Sequence, residues 1–113
     1  MTSNKPTCKF LLKASRDTLD VIQGKWRIPI VISLTYGNKR FGEILDDIED
    51  ISPKMLSQEL KSLEMNKIIE RTLFDVMPVK TEYSLTPLGL SMNNLLKEIS
   101  QWGIHFREGI INN

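Results

Sequence analysis

Two short residue pairs constrain the fold of this chain more than any other feature of the sequence. Ser52-Pro53 and Thr86-Pro87 each place a hydroxyl side chain, which can cap free backbone amides, before a proline, which fits the first helical position without losing a hydrogen bond. Each pair therefore predicts a helix start. Between the two starts, residues 68–74 and 81–85 have the composition of strands, and residues 75–80 must turn. The second half of the chain is predicted to run helix, β-hairpin, helix.

The helix that follows Ser52 has two distinct faces. Leu56, Leu60 and Leu63 recur at the i, i+4 and i+7 positions of one buried stripe, and Asn66 is expected to end the helix in a left-handed conformation. The opposite face carries side chains that can pair with phosphates or exchange hydrogen bonds with base edges: Lys54, Ser57, Gln58 and Lys61. An ordinary amphipathic surface helix would have the same pattern, so this helix alone leaves DNA binding open.

The first half of the chain predicts three further helices. Residues 18–22 indicate a short first helix with Ser15 as its cap. Residues 26–36 indicate a second helix, mostly buried and with Trp26 in the core, whose start stays open because Pro29 deletes a hydrogen bond beyond the first turn. A third helix of about two turns has its apolar residues at helical spacing: Phe41, Ile44, Leu45 and Ile48.

The last helix is predicted to span residues 86–107 as one element. Its apolar stripe continues for about five turns, which is longer than a core of this size can cover. The stripe consists of Leu88, Met92, Leu95, Leu96, Ile99, Trp102 and Phe106. We expect four of these side chains to form a subunit interface, with burial in the chain's own core as the alternative: Leu95, Ile99, Trp102 and Phe106.

The bulk composition argues against several other classes of protein. No apolar run approaches the roughly 20 residues of a membrane span, and the N-terminus lacks the apolar core of a secretory signal, so we expect a cytoplasmic protein with no membrane partner. With one histidine, His105, one cysteine and no Gly-rich phosphate loop, we expect no enzyme activity, no metal site and no cofactor. The acidic residues 46–50 lack the spacing of a calcium loop. The net charge of +1 argues neither for nor against nucleic acid.

The order of these elements is that of a winged helix-turn-helix. This is an α+β, mainly α fold in which the capped helix enters the major groove of DNA and the hairpin forms a two-stranded wing. We expect a single domain over residues 1–113, with the reading helix at about 52–65 and the wing at about 68–85. No repeat or linker-like stretch divides the chain.

Several motifs, in one order along the chain, resemble the HxlR family of bacterial regulators. The first half carries GKW at 24–26, RFGEI at 40–44 and ISPKMLSQEL at 51–60. The second half carries ER at 70–71, PVK at 78–80, YSLTPLG at 83–89 and WG at 102–103. The resemblance runs from about Cys8 to Trp102, which is nearly the whole chain.

The resemblance implies a homodimer whose N-terminal segment and last helix form N- and C-terminal dimerisation helices. Two wings would then flank double-stranded DNA, and two-fold symmetry predicts a roughly palindromic operator with half-sites about 10 bp, or a multiple of it, apart. Three cations are placed by their position on this fold to meet phosphate or the minor groove: Lys25, Arg40 and Lys80. The predicted DNA-binding set is therefore Lys25, Arg40, Ser52, Pro53, Lys54, Ser57, Gln58, Lys61 and Lys80.

The single cysteine, Cys8, is a candidate sensor residue. Members of the family often carry a cysteine near the N-terminus, and several are similar to thiol or electrophile sensors. Lys9 follows Cys8 where the family commonly has proline, which leaves the local conformation open. The hypothesis is that oxidation or alkylation of Cys8, with a bridge to the partner's Cys8 as one form, changes the separation of the two reading helices. The alternative is an idle exposed thiol.

A second class of function stays open at the level of sequence. A winged-helix module can bind protein instead of DNA, and the near-neutral net charge favours that alternative. Salt discriminates between the two, because DNA binding through several Lys and Arg contacts weakens steeply as salt rises. A small-molecule effector at the dimer interface is compatible with either function.

Overall fold

The computed structural model describes residues 7–111 and has the predicted order of helices and strands. The elements are α1 (Cys8–Ile22), α2 (Arg27–Thr35), α3 (Phe41–Asp47), α4 (Pro53–Met65), β1 (Ile69–Phe74), β2 (Lys80–Leu85), α5 (Pro87–Leu90) and α6 (Asn93–Ile111). A mainly helical chain with one two-stranded antiparallel sheet confirms the predicted α+β, mainly α class.

The core lies between α2, α3, α4 and the base of the hairpin. Its fully buried apolar side chains are Ile30, Val31, Ile44, Leu56, Leu60, Leu63 and Ile69. Trp26 is half-buried and packs against this cluster, as the sequence predicts. Pro29 causes no break because it is the third residue of α2, within the first turn, where a backbone amide has no partner inside the helix.

The hairpin is fixed by its register and by one further backbone pair. Ile69 pairs with Leu85 at its base and Phe74 with Lys80 near its tip. Lys39 and Tyr83 exchange backbone hydrogen bonds at 3.0 and 2.7 Å, so the segment before α3 adds a single bridge to the outer side of β2. The wing is therefore attached to the helical core on two sides.

The first helix is three times as long as the prediction of a short helix over residues 18–22, since α1 has 15 residues. Its cap is the side chain of Thr7, which accepts a hydrogen bond from the backbone N of Phe10 at 3.1 Å. Ser15 is not a cap: it lies inside the helix and its hydroxyl donates to the carbonyl of Leu12. The longer helix escaped prediction because its residues before Val21 are all exposed and leave no buried stripe.

Two details of the later helices also differ from the prediction. The left-handed residue after α4 is Lys67, with φ 64°, whereas Asn66 has φ −85°. The last helix is two helices, because α5 ends at Leu90 and α6 begins at Asn93. Gly89 packs so closely against the hairpin base that an added Cβ would lie 2.2 Å from the carbonyl oxygen of Ile68. This contact holds α5 on the hairpin, while α6 continues separately.

The two terminal helices extend away from the core. The radius of gyration is 16.9 Å, against about 13 Å for a compact domain of about 100 residues. Ile22 is the one buried residue of α1, and Leu96 the one buried residue of the described side chains of α6. None of the helices within residues 7–111 combines the length and the apolar composition needed to cross a membrane.

Candidate nucleic-acid interface

Helix α4 is built to present its first turns outward. The hydroxyl oxygen of Ser52 accepts a hydrogen bond from the backbone N of Met55 at 3.1 Å, and Pro53 occupies the first helical position. Leu56, Leu60 and Leu63 then fasten one side of the helix to the core. Both predicted devices are present, so the orientation of α4 is set by its cap and by its buried leucines.

The outer face of α4 carries the four side chains that the sequence ranks as base and phosphate contacts. Lys54, Gln58 and Lys61 are exposed, and Ser57 is half-buried. Spacing of three, four and seven residues places them on one face of the helix. Within the part of the chain that the structure describes, none of these side chains has a hydrogen-bond or ion-pair partner. The face therefore has its full donor and acceptor capacity available to a ligand.

A groove of about 550 Å³ separates α4 from the hairpin, and it adds cations that the sequence did not single out. Ser57 and Lys61 line one wall, Arg71 and Tyr83 the other, and Lys67 closes the end. Burial raises the pKa of the Tyr83 hydroxyl above its ordinary value, so this phenol is neutral at neutral pH and Arg71 is the charged group of its wall. Glu64 also lines the groove, so its lining carries three cations and one acid, a balance that favours an anion between the helix and the wing.

Two cations of this groove escaped a firm prediction. Lys67 was missed because its role depends on the left-handed turn after α4, for which Asn66 seemed the more suitable residue. Arg71 stands opposite Tyr83 in the sheet, and its Nε is 3.9 Å from a carboxylate oxygen of Glu64. Such a long, exposed ion pair contributes little and does not prevent a phosphate contact.

The other predicted cations lie outside this groove. Lys25 is two residues before α2, whose first residue is Arg27. The Nζ of Lys25 lies 4.7 Å from the centre of the Trp26 ring. Arg40 precedes α3, is exposed, and its backbone N donates to a carboxylate oxygen of Glu43 at 2.8 Å. Both stay predictions as phosphate contacts.

Lys80 lies at the start of β2 and is held by its own hairpin. Its Nζ is 3.4 Å from a carboxylate oxygen of Glu82 and 5.1 Å from the centre of the Phe74 ring. A phosphate must compete with these two contacts, so the hairpin offers a partly neutralised cation at this point. The tip beyond it, residues 75–79, contains one acid and no Lys or Arg.

A polar cluster of buried Ser33, half-buried Lys39 and exposed Asp47 fastens α3 to α2. The Ser33 hydroxyl donates to a carboxylate oxygen of Asp47 at 2.7 Å, and the Lys39 ammonium donates to the same oxygen. The hydrogen bond from Lys39, and then that from Ser33, lowers the pKa of the Asp47 carboxyl. Because Lys39 also bridges to Tyr83, the cluster connects the helices to the wing.

The candidate sensor and interface residues are all accessible at the ends of the chain. Cys8 is the first residue of α1 and its thiol is free and exposed. On α6, the rings of Trp102 and Phe106 stack with their centres 5.3 Å apart although Trp102 is 68% exposed. Leu95 is also exposed and Ile99 is half-buried, so this part of the stripe does not form the chain's own core. His105, on the same helix, is exposed.

Within residues 7–111, no group of three or more His, Cys, Asp or Glu side chains lies close enough together to hold a metal ion. The acidic stretch 46–50 instead turns at Asp50, which has φ 68°, and gives one carboxylate to the Lys39 pair.

Comparison with known proteins gives one consistent result. The model of the family described as HxlR-like helix-turn-helix matches residues 21–110. The chain is 40% identical over 86 residues to a Bacillus subtilis protein named as the uncharacterized HTH-type transcriptional regulator YtcD, an alignment that covers 76% of this chain and 68% of the relative.

Two solved structures are similar over most of their length. The redox regulator HypR in its reduced form has a TM-score of 0.82 and 32% sequence identity, with 88% of this chain and 99% of that chain covered. The reduced form of the transcriptional regulator YodB from Bacillus subtilis has a TM-score of 0.77 and 33% identity, with 93% and 98% covered.

Proposed function

The chain belongs to the HxlR-like helix-turn-helix family of DNA-binding transcriptional regulators, and we propose that it acts as a homodimer that reads a roughly palindromic DNA site with α4. In this proposal the four outward side chains of α4 enter the major groove: Lys54, Ser57, Gln58 and Lys61. Each subunit would read one half-site. The protein would work in the cytoplasm.

The observation that carries this proposal is the unpartnered polar face of α4 beside a groove lined with cations. Lys61, Lys67 and Arg71 line the groove beside the outer face of α4, so phosphate contacts and base contacts can form together. Phosphate contacts would set the position and the base contacts the sequence preference.

The homodimer is supported by apolar surface on both terminal helices. On α1 four large apolar side chains are exposed: Phe10, Leu11, Leu12 and Leu19. Among the described side chains of α6, five large apolar ones are exposed: Leu95, Trp102, Ile104, Phe106 and Ile110. Soluble chains seldom leave so much apolar area in contact with water unless another surface covers it. A second copy of the chain, related by a two-fold axis, would cover both helices with their own counterparts.

Control by a thiol signal is the proposed regulation. Among the similar structures, HypR is a redox regulator solved in reduced and oxidised forms, and YodB was solved after treatment with diamide. Here Cys8 is exposed at the start of a helix assigned to the interface. Two Cys8 thiols would lose two electrons and two protons to an oxidant such as a diamide and form one disulfide between subunits. DNA affinity should then change with oxidant in the wild type and stay constant in Cys8→Ser.

The test of DNA binding is fluorescence anisotropy with duplexes from the DNA flanking the gene, scrambled duplexes and a salt series. We expect tight binding to one flanking duplex that weakens steeply as salt rises. Lys61→Ala should reduce the slope of log K against log salt by about one. Lys97→Ala removes an exposed cation from α6 and serves as the matched control, with no change in slope.

Equal, salt-insensitive binding to every duplex would contradict the proposal. Selection of bound fragments from the whole genome makes the same test without assuming where the operator lies: an enriched fragment supports the DNA-binding regulator, and no enrichment favours the remaining alternative, a winged-helix module that binds protein. A small-molecule effector would be detected in the same assay as a change of affinity.

A further inference from the structure

One guanidinium group joins three elements of the fold. Arg27, the first residue of α2, has its Nε 2.8 Å from a carboxylate oxygen of Glu59 and its Nη2 2.9 Å from the hydroxyl of Ser62, both on α4. Its Nη1 donates to the backbone carbonyls of Asp20 and Val21 at 3.0 Å each. These carbonyls belong to the last turn of α1. A single side chain therefore connects the end of α1 with the helix that reads DNA.

The chemistry of this contact requires arginine. The last carbonyls of a helix have no amide partner within the helix, and a cation at that end is favoured by the helix dipole. The planar guanidinium presents several donors in fixed directions, so it can bind two carbonyls on one side and a carboxylate on the other. A lysine ammonium at the same position could reach one of these groups but not hold all of them in one geometry.

The rest of α1 offers little to fix its orientation. Every residue from Cys8 to Asp20 is exposed, Val21 is half-buried and Ile22 is buried. The apolar contacts of the last two residues hold the helix end near the core, but they are non-directional. The chain between α1 and α2 turns at Gly24, which has φ 94°. The directional contacts between the helix end and α4 are those of Arg27.

The geometry points to Arg27 as the positioning residue that fixes the orientation of α1 relative to α4. This inference rests on the proposed homodimer, in which α1 contacts the partner subunit, and it adds the device that sets the distance between the two reading helices. The helix is about 22 Å long at 1.5 Å per residue, so a small rotation at its anchored end displaces Cys8 and the interface by several ångströms. Conversely, a change at the far end of α1 reaches α4 through Arg27.

The first test measures this orientation without DNA. Spin labels attached through Lys13→Cys, on α1, and Lys54→Cys, on α4, in a Cys8→Ser background report the distance between the two helices. Excess unlabelled protein ensures that the measured pair lies in one protomer. We expect a narrow distance distribution that about doubles in width in Arg27→Met and broadens less in Arg27→Lys, because a helix end that loses its polar anchor samples more orientations. Arg16→Met, which removes an exposed arginine of α1, is the matched control and should leave the width unchanged.

A charge exchange separates positioning from simple support of the fold. The double variant Arg27→Glu with Glu59→Arg restores an ion pair between α2 and α4 but offers no donor to the α1 carbonyls from position 27. We expect the midpoint temperature of its thermal unfolding to recover towards that of the wild type while the distance distribution stays broad. A distribution as narrow as that of the wild type in Arg27→Met, or one restored by the charge exchange, would overturn the inference.

The second test uses DNA and distinguishes failure of this inference from failure of the proposed function. Duplexes selected by the wild type from a random pool are compared with the same duplexes carrying one extra base pair between half-sites. If the wild type selects no site, the proposed function fails and the spin-label result still decides the role of Arg27. If the wild type selects a site, we expect it to prefer the selected spacing over the lengthened one by about tenfold. Arg27→Met should bind a single half-site as the wild type does but lose most of this preference. Equal losses on half-site and full site would show that Arg27 only supports α4.

Discussion

The body of this protein buries most of its apolar side chains, whereas its two terminal helices leave most of theirs exposed. In the body, formed by α2, α3, α4, α5 and the hairpin, most leucines and isoleucines of α2, α3, α4 and the hairpin base pack into one buried cluster. On α1 and α6 the same residue types recur at helical spacing and most of them face solvent. Sequence periodicity is similar in both regions. The difference is that the body contains its own partner surfaces and the terminal helices do not.

This contrast separates two tasks. A closed body can hold α4 and the wing in a fixed geometry within one chain, which is what reading a DNA groove requires. Open helices cannot contribute to that geometry until another surface covers them, so their natural task is assembly. Stability of the body should therefore be independent of protein concentration, whereas assembly should depend on it.

The largest effect is expected where the body is closed most tightly. Leu56→Ala removes a side chain that is 0% exposed near the start of α4, and the free energy of unfolding should fall by about 2–5 kcal/mol because a cavity remains. Urea denaturation measures this loss, which should be the same at every protein concentration. Leu88→Ala, at an exposed leucine of α5, is the matched control. Equal losses in the two variants would break the distinction between closed and open surface.

The next effect concerns the open side of the comparison. Trp102→Ala should weaken dimer formation by about 2–4 kcal/mol, as truncation of a central aromatic residue does in interfaces, and leave the fold of the monomer intact. Sedimentation over a concentration series measures the dissociation constant. Met77→Ala removes another exposed apolar side chain, at the tip of the hairpin, and should have no effect on dimerisation. An unchanged constant in Trp102→Ala would remove this part of α6 from the interface.

A smaller effect is expected at the reading face, which belongs to the body but serves a ligand. Gln58→Ala should cost about 1–3 kcal/mol on the selected site and little on random DNA, if its amide pairs with a base edge. Competition binding with both duplexes measures the difference. Gln101→Ala, at an exposed glutamine of α6, controls for the loss of a surface amide. Equal losses on the two duplexes would mean that Gln58 only positions the backbone.

The smallest effect is a pH dependence confined to the body. The pKa of Asp47 is lowered in the folded protein by its hydrogen bonds from Lys39 and Ser33, so the carboxylate stabilises the fold above its ordinary pKa of 3.8. That contribution disappears as pH falls below 3.8 and through the lowered value. The midpoint temperature of thermal unfolding should fall more steeply on acidification in the wild type than in Asp47→Asn. Parallel curves for the two proteins would contradict this role.

Local chemistry made most of the body predictable from sequence. The Ser52-Pro53 and Thr86-Pro87 pairs start helices through contacts three residues away, and the leucines of α4 have a clear period. The hairpin followed from its strand composition. These signals are short in range, and the fold does not override them.

The features that sequence did not reveal depend on distant contacts. Arg27 meets Glu59 and Ser62 across 32 and 35 residues, and no local pattern links these positions. The break between α5 and α6 was missed because Gly89 is demanded by a contact with Ile68, about twenty positions earlier in the chain. The full length of α1 was missed although its apolar residues recur at helical spacing, because nothing within residues 7–111 covers those before Val21 and they belong to no core of their own chain.

The most direct test of the division between body and terminal helices is the mass of the complex with DNA. Analytical ultracentrifugation of the wild type with a labelled duplex carrying the selected site gives the number of chains per duplex. Two chains per duplex are expected, falling to one at low concentration in Trp102→Ala, since each body still reads its own half-site. One chain per duplex in the wild type at all concentrations would contradict assembly through α1 and α6.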